Sequence, residues 1–156
     1  MEFKNLIFLD IDGVLATSEC YAITELRHNK EIYKWNPACV TVLNELISET
    51  GAVIILSSDW RIYFDLEALK DIFEWNCVIT SPVAVTDQNK HKISFNPELD
   101  RIHQIGRFIK NNSIKNWVAV DDLNLKSDIV PNFVLVEDEM GLTGEGIKEK
   151  IKEFLN

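Results

Sequence analysis

The stretch Leu6-Ile7-Phe8-Leu9-Asp10-Ile11-Asp12-Gly13-Val14-Leu15 decides how the rest of the chain is read. Four consecutive apolar residues with no polar alternation describe a strand covered on both faces, and the aspartate closing the run marks its carboxyl end. Gly13 supplies a residue able to turn the backbone sharply just beyond it. The same pattern recurs along the chain. Ala52-Val53-Ile54-Ile55-Leu56 is a second continuous apolar run, closed by Ser57-Ser58-Asp59. Cys77-Val78-Ile79 predicts a weaker third strand. Trp117-Val118-Ala119-Val120 predicts a fourth that runs into Asp121-Asp122, and Phe133-Val134-Leu135-Val136 a fifth.

Helical spacing fills the intervals. Asn36-Pro37 offers an N-cap and a first-turn proline to a helix carrying Val40, Leu43, Leu46 and Ile47 and stopped by Gly51. Leu66, Leu69, Ile72 and Phe73 predict a helix from about Tyr63 to Phe73. Leu99, Ile102, Ile105 and Ile109 predict one from Glu98 to Asn111, and Ile147, Ile151, Phe154 and Leu155 a last one after Gly141-Leu142-Thr143-Gly144. Continuous apolar strands alternating with helices require a parallel sheet covered on both faces. The expected fold is therefore α/β: a three-layer α/β/α sandwich around a five-stranded parallel sheet, formed as one domain over residues 1–156.

Composition narrows the function classes. The 156 residues are 46% hydrophobic and 26% charged, which is ordinary for a globular chain and excludes disorder or a fibrous repeat as overall descriptions. Twenty-five acidic against 16 basic residues leave a formal charge of -9, which excludes a broad basic face tracking a nucleic-acid backbone. Recognition of a single phosphate end stays open. Cys20, Cys39 and Cys77 are odd in number and widely spaced, so they read as reduced thiols. The Leu6–Leu9 run is too short for a signal-peptide core or a membrane span, which makes the cytoplasm the default and excludes a membrane partner. His28, His91 and His103 have no partners at ligand spacing, and Trp60 and Trp75 read as core or rim residues.

Ligands of a parallel sheet gather at the carboxyl ends of its strands. Those ends carry Asp10 and Asp12, Ser57 and Ser58, and Asp121 and Asp122, so residues far apart in sequence converge on one edge. Asp10, Asp12, Asp121 and Asp122 repel one another unless a cation sits among them. A hard divalent ion such as Mg²⁺ suits oxygen ligands and a phosphorylated substrate.

Asp10-Ile11-Asp12-Gly13-Val14-Leu15 resembles the first motif of the haloacid dehalogenase (HAD) superfamily of phosphohydrolases. Ser57 after its apolar run resembles the second motif, and Asp121-Asp122 the fourth. Arg101 sits where the third-motif Lys or Arg is expected, with Lys92, Arg107 and Lys110 as substitutes. Ser57-Ser58-Asp59-Trp60-Arg61, the short length and Gly141-Leu142-Thr143 look like the small HAD domains associated with nucleic-acid repair proteins. The resemblance implies a nucleophilic Asp10 that forms an aspartyl-phosphate, and an Asp12 that protonates the leaving oxygen and then activates water. It implies that Ser57 and Arg101 hold the phosphoryl oxygens and that Asp121, with Asp122 close by, ligates Mg²⁺. Gly13 lets the chain approach a substrate closely, Ser58 either binds substrate or caps the helix beginning near Asp59, and Arg61 either reaches a substrate phosphate or faces solvent.

The implied cap is minimal or absent, since neither Gly13–Trp35 nor Thr80–Pro97 is long enough for a globular domain with its own core. An open site favours a large phosphorylated substrate such as a nucleic-acid end. The competing expectations are a small metabolite or nucleotide covered by an oligomeric neighbour, a signalling receiver domain, and a silent phosphate-binding module. A receiver places its acidic pair after the first strand and its phosphorylated Asp after the third, whereas here Asp121-Asp122 follow the fourth.

Overall fold

The computed structural model describes residues 2–20, 24–27, 30–87 and 95–156. In chain order the elements are β1 (Glu2–Leu9), β2 (Thr24–Arg27), β3 (Lys30–Tyr33), α1 (Pro37–Thr50), β4 (Val53–Leu56), α2 (Trp60–Tyr63), α3 (Leu66–Trp75) and β5 (Ala84–Val85). They continue with α4 (Pro97–Asn111), β6 (Ser113–Asp121), β7 (Phe133–Leu135), a 3₁₀ turn (Gly141–Thr143) and α5 (Ile147–Leu155). Five strands form one parallel sheet in the order β5-β4-β1-β6-β7. This is the α/β sandwich expected from the apolar runs.

Side-chain alternation sorts the sheet into two apolar layers. Ile7 and Leu9 of β1, Ile54 and Leu56 of β4, and Val118 and Val120 of β6 pack with α1, α3 and α5. Leu6, Phe8, Ile55 and Ala119 pack on the opposite face with Ile102 and Ile105 of α4. Leu9 is registered with Leu56 on one side and Val120 on the other. The next row holds Asp10, Ser57 and Asp121, so a period of two turns all three toward the face of α4.

Two expectations are corrected. Cys77-Val78-Ile79 is not a strand. Cys77 takes a left-handed conformation (φ 61°) and its N–H donates to the Glu74 carbonyl, while the Val78 N–H donates to that of Phe73. These bonds close the last turn of α3, and Val78 is buried as its hydrophobic stop. The outer strand is Ala84–Val85, paired with Ile55 and Leu56. The helix expected from Tyr63 to Phe73 is divided: Phe64 is extended, and Asp65 caps α3 by accepting from the Ala68 N–H at 2.8 Å. Between β1 and α1 lies an antiparallel pair, β2–β3, with Thr24 opposite Tyr33 and Arg27 opposite Lys30. This hairpin agrees with the minimal cap implied by the short Gly13–Trp35 interval.

Candidate active site

The loop after β1 is wound tightly. The N–H groups of Val14, Leu15 and Ala16 all donate to the Ile11 carbonyl, and that of Gly13 donates to the Ala16 carbonyl at 2.8 Å. Ile11, Val14 and Leu15 are fully buried, which anchors the loop from below. Gly13 has φ +78°, and a Cβ there would run into the Asp122 carboxylate. Only glycine lets the first and fourth acidic segments approach so closely. The Gly141–Thr143 turn supports the same loop: the Leu142 N–H donates to the Val14 carbonyl at 3.1 Å, and a Cβ on Gly141 would strike that carbonyl.

Asp10, Asp121 and Asp122 each bring a carboxylate oxygen within 4.8 Å of the others. Arg101, projecting from the first turns of α4, places Nη1 at 2.8 Å from Asp121 Oδ2 and 3.1 Å from Asp10 Oδ2. The other Asp121 oxygen accepts the Leu123 N–H at 2.9 Å. Of the described candidates for the third-motif base, Arg101 is the one the fold brings against Asp10 and Asp121. Arg107 is largely exposed and pairs with Asp87, Lys110 is exposed, and Lys92 lies outside the described residues. The sequence missed Asp59. Its Oδ1 accepts from Arg101 Nη2 at 3.2 Å and Arg61 Nη1 at 3.4 Å, so it links the two guanidinium groups.

Asp12 stands apart from the three-carboxylate group. Its Oδ2 accepts the indole N–H of Trp60 at 2.9 Å. Trp60 is therefore more than a rim residue: it fixes the Asp12 carboxylate. The indole is held in turn by edge contacts with Tyr33 of β3 (5.2 Å between ring centroids) and Trp35 (5.9 Å). The hairpin thus reaches the site through Tyr33. The position of Trp60, three residues after Ser57, is the only sequence signal that could have revealed this. Ser58 hydrogen-bonds the Asp10 carboxyl, and its Oγ also accepts the Trp60 N–H at 3.3 Å, so it ties the start of α2 to the site. The Ser57 hydroxyl is buried with no partner.

Burial raises the Asp10 pKa to about 6, against the lowering pull of Arg101, the Ser58 hydroxyl and the Ile11 N–H. Asp121 is raised well above the usual carboxylate range, first by burial and then by Asp10. Asp12 is raised by burial, and the Trp60 indole works against that shift. Burial also opposes the charge on Arg101, but Asp10 and Asp121 outweigh it and raise its pKa.

The Asp10 shift has a sign that can be measured. A folded state that binds a proton more tightly than the unfolded chain loses stability as pH rises between the two pKa values, here between 3.8 and about 6. In chelator, the Tm of Asp10→Asn relative to wild type should climb across that window. A difference that is flat or falls would contradict the buried environment of Asp10.

The family model described as "HAD domain in Swiss Army Knife RNA repair proteins" matches residues 6–147. No curated protein and no solved structure matches the chain. Among the described residues no helix is long and apolar enough to cross a membrane.

Proposed function

Because the chain belongs to the family of HAD domains in Swiss Army Knife RNA repair proteins, we propose that it is a Mg²⁺-dependent phosphatase. Its reaction is hydrolysis of a phosphomonoester on a nucleic-acid end through an aspartyl-phosphate on Asp10. The family suggests phosphohydrolase chemistry. The observation that carries the finer reading is the convergence of Asp10, Asp121 and Asp122 under Arg101.

The donor set fits a hard divalent ion. Three carboxylates facing one guanidinium offer an excess of oxygen donors, the donor type such an ion prefers. Asp10, Asp121 and Asp122 would hold Mg²⁺, which supplies charge neutralisation at the phosphoryl oxygens. Asp12 was also expected among the ligands, but its carboxylate is bound to Trp60 and is free of that cluster.

An Asp10 oxygen attacks phosphorus, and the bond to the ester oxygen breaks as Asp12 delivers a proton to that oxygen. Water then attacks the phosphorus of the aspartyl-phosphate, Asp12 takes the water proton, and phosphate leaves with the Asp10 carboxylate restored. The raised Asp12 pKa suits a group that must hold the proton first and accept it later. The Ser57 hydroxyl is a buried donor with nothing to bond, and a phosphoryl oxygen would satisfy it. The Trp60 hydrogen bond keeps Asp12 from swinging into the metal cluster.

The experiment is turnover of an aryl phosphate by the purified protein, with Mg²⁺ and with excess chelator. Phosphate release that requires Mg²⁺ is expected. Full activity in chelator, or none in Mg²⁺ on any phosphomonoester, would overturn the reading.

A further inference from the structure

Thr86 lies across Ser57 from Asp10, Arg61 follows Ser57 by four residues in α2, and each carries a buried polar atom with no partner. Thr86 directly follows β5 and is in step with Ser57: Leu56 pairs with Val85, and the Thr86 N–H donates to the Leu56 carbonyl at 3.0 Å. Its Oγ1 bonds nothing. Arg61 is 7% exposed, with Nη1 resting on the Ser58 carbonyl at 3.3 Å and Asp59 at 3.4 Å, and its Nε bonds nothing. Burial lowers the Arg61 pKa; the Asp59 carboxylate and, more weakly, that of Asp87 beside Thr86 oppose this, and Arg101 adds to it. With the Ser57 hydroxyl, three unpartnered donors, one of them on the buried Arg61 guanidinium, therefore follow β4 and β5. Buried donors are rarely left unpaired, so each of these calls for a partner.

Asp10 attacks only the phosphorus above its own strand. Thr86 lies two strands away, and a spacing of ~4.8 Å per strand sets it roughly 10 Å off. An anion there is a neighbour of the reacting group. We propose that Arg61 and Thr86 form a second phosphate subsite that takes the internucleotide phosphate next to the terminal phosphomonoester. The subsite rests on the phosphatase reading of the same cleft and specifies its substrate as an end at least two nucleotides long. A guanidinium plus a hydroxyl is a complete recognition unit for one phosphate. It grips the end without a basic track along the strand, which the charge of -9 excludes.

The test is steady-state kinetics on a terminally phosphorylated dinucleotide and on its analogue whose internucleotide link is an uncharged methylphosphonate. The matching mononucleotide and a sugar bisphosphate complete the set. Because the contact is made equally before and during reaction, it should appear in KM and leave kcat nearly level. KM for the dinucleotide should be about tenfold lower than for the methylphosphonate or the mononucleotide. Thr86→Val, which keeps shape and removes the hydroxyl, should shrink that advantage by about threefold or more. Equal KM for dinucleotide and methylphosphonate, with turnover intact, would overturn the subsite and leave the phosphatase standing. A sugar bisphosphate used as well as the dinucleotide would overturn its assignment to nucleic acid. Turnover of none of the four would sink the phosphatase reading itself. If Thr86→Val fails to fold, the substrate comparison on wild type still decides.

Discussion

Asp10→Asn folds and loses turnover by about 10⁴-fold or more, the scale set by removing the nucleophile of a covalent mechanism. The amide keeps the size of the carboxylate but cannot attack phosphorus. It also removes one of the two carboxylates on Arg101 Nη1, leaving Asp121 at 2.8 Å and Asp59 at 3.2 Å to balance the guanidinium. Burying one charge fewer removes a desolvation cost, so this variant should melt at or above the wild-type temperature. Circular dichroism and phosphate release on the same sample check both halves. Activity near wild type would end the case for an aspartyl-phosphate.

Arg101→Ala should carry the largest stability cost of any single change in the site. Arg101 is 5% exposed, Asp10 is 3% exposed and Asp121 fully buried, so truncation strands two carboxylates in the interior. Breaking a buried pair in this way costs about 3–5 kcal/mol. The loss has a pH signature: without the guanidinium both carboxyls hold their protons more tightly, so the variant weakens further as pH rises from mildly acidic to neutral. Arg101→Lys restores a charge without the fork and should recover part of the stability and activity. Denaturant unfolding at pH 5 and pH 7.5 measures the effect. An Arg101→Ala protein as stable as wild type at both would show that the two carboxylates do not depend on it.

The sequence was legible where local chemistry decides structure. The three central strands are apolar runs covered on both faces, and each ends on a polar residue because the chain leaves the core there. That placed Asp10, Ser57 and Asp121 in one row, and the motif resemblance brought Arg101 to them. Legibility failed where partners decide. Ala84–Val85 is a strand only because its backbone meets β4, and two residues carry no period. Val78 is apolar for a different reason, as the plug of a helix end. Thr24–Arg27 and Lys30–Tyr33 flank only two residues, the spacing of a tight hairpin, but neither four-residue run carries the apolar alternation that marks a strand. The roles of Asp59, Trp60 and Thr86 are not legible in the sequence because they lie in hydrogen bonds made or lacking, which spacing cannot display.

The pairing of β1 with β6 also sets an order of events during synthesis. Glu2 is registered with Ser113 and Leu9 with Val120, so one whole side of the central strand waits for a partner more than a hundred residues downstream. At ~5–20 residues per second, the intervening chain takes roughly 5–20 s to emerge from a ribosome. During that interval Leu6-Ile7-Phe8-Leu9 has at most β4 beside it. Contacts of such long sequence separation close late and slowly, and an apolar strand with an open edge is the part of a nascent chain most exposed to mispairing. The acidic row at its end is assembled by the same late step, so the carboxylates meet only once the strands beneath them have docked.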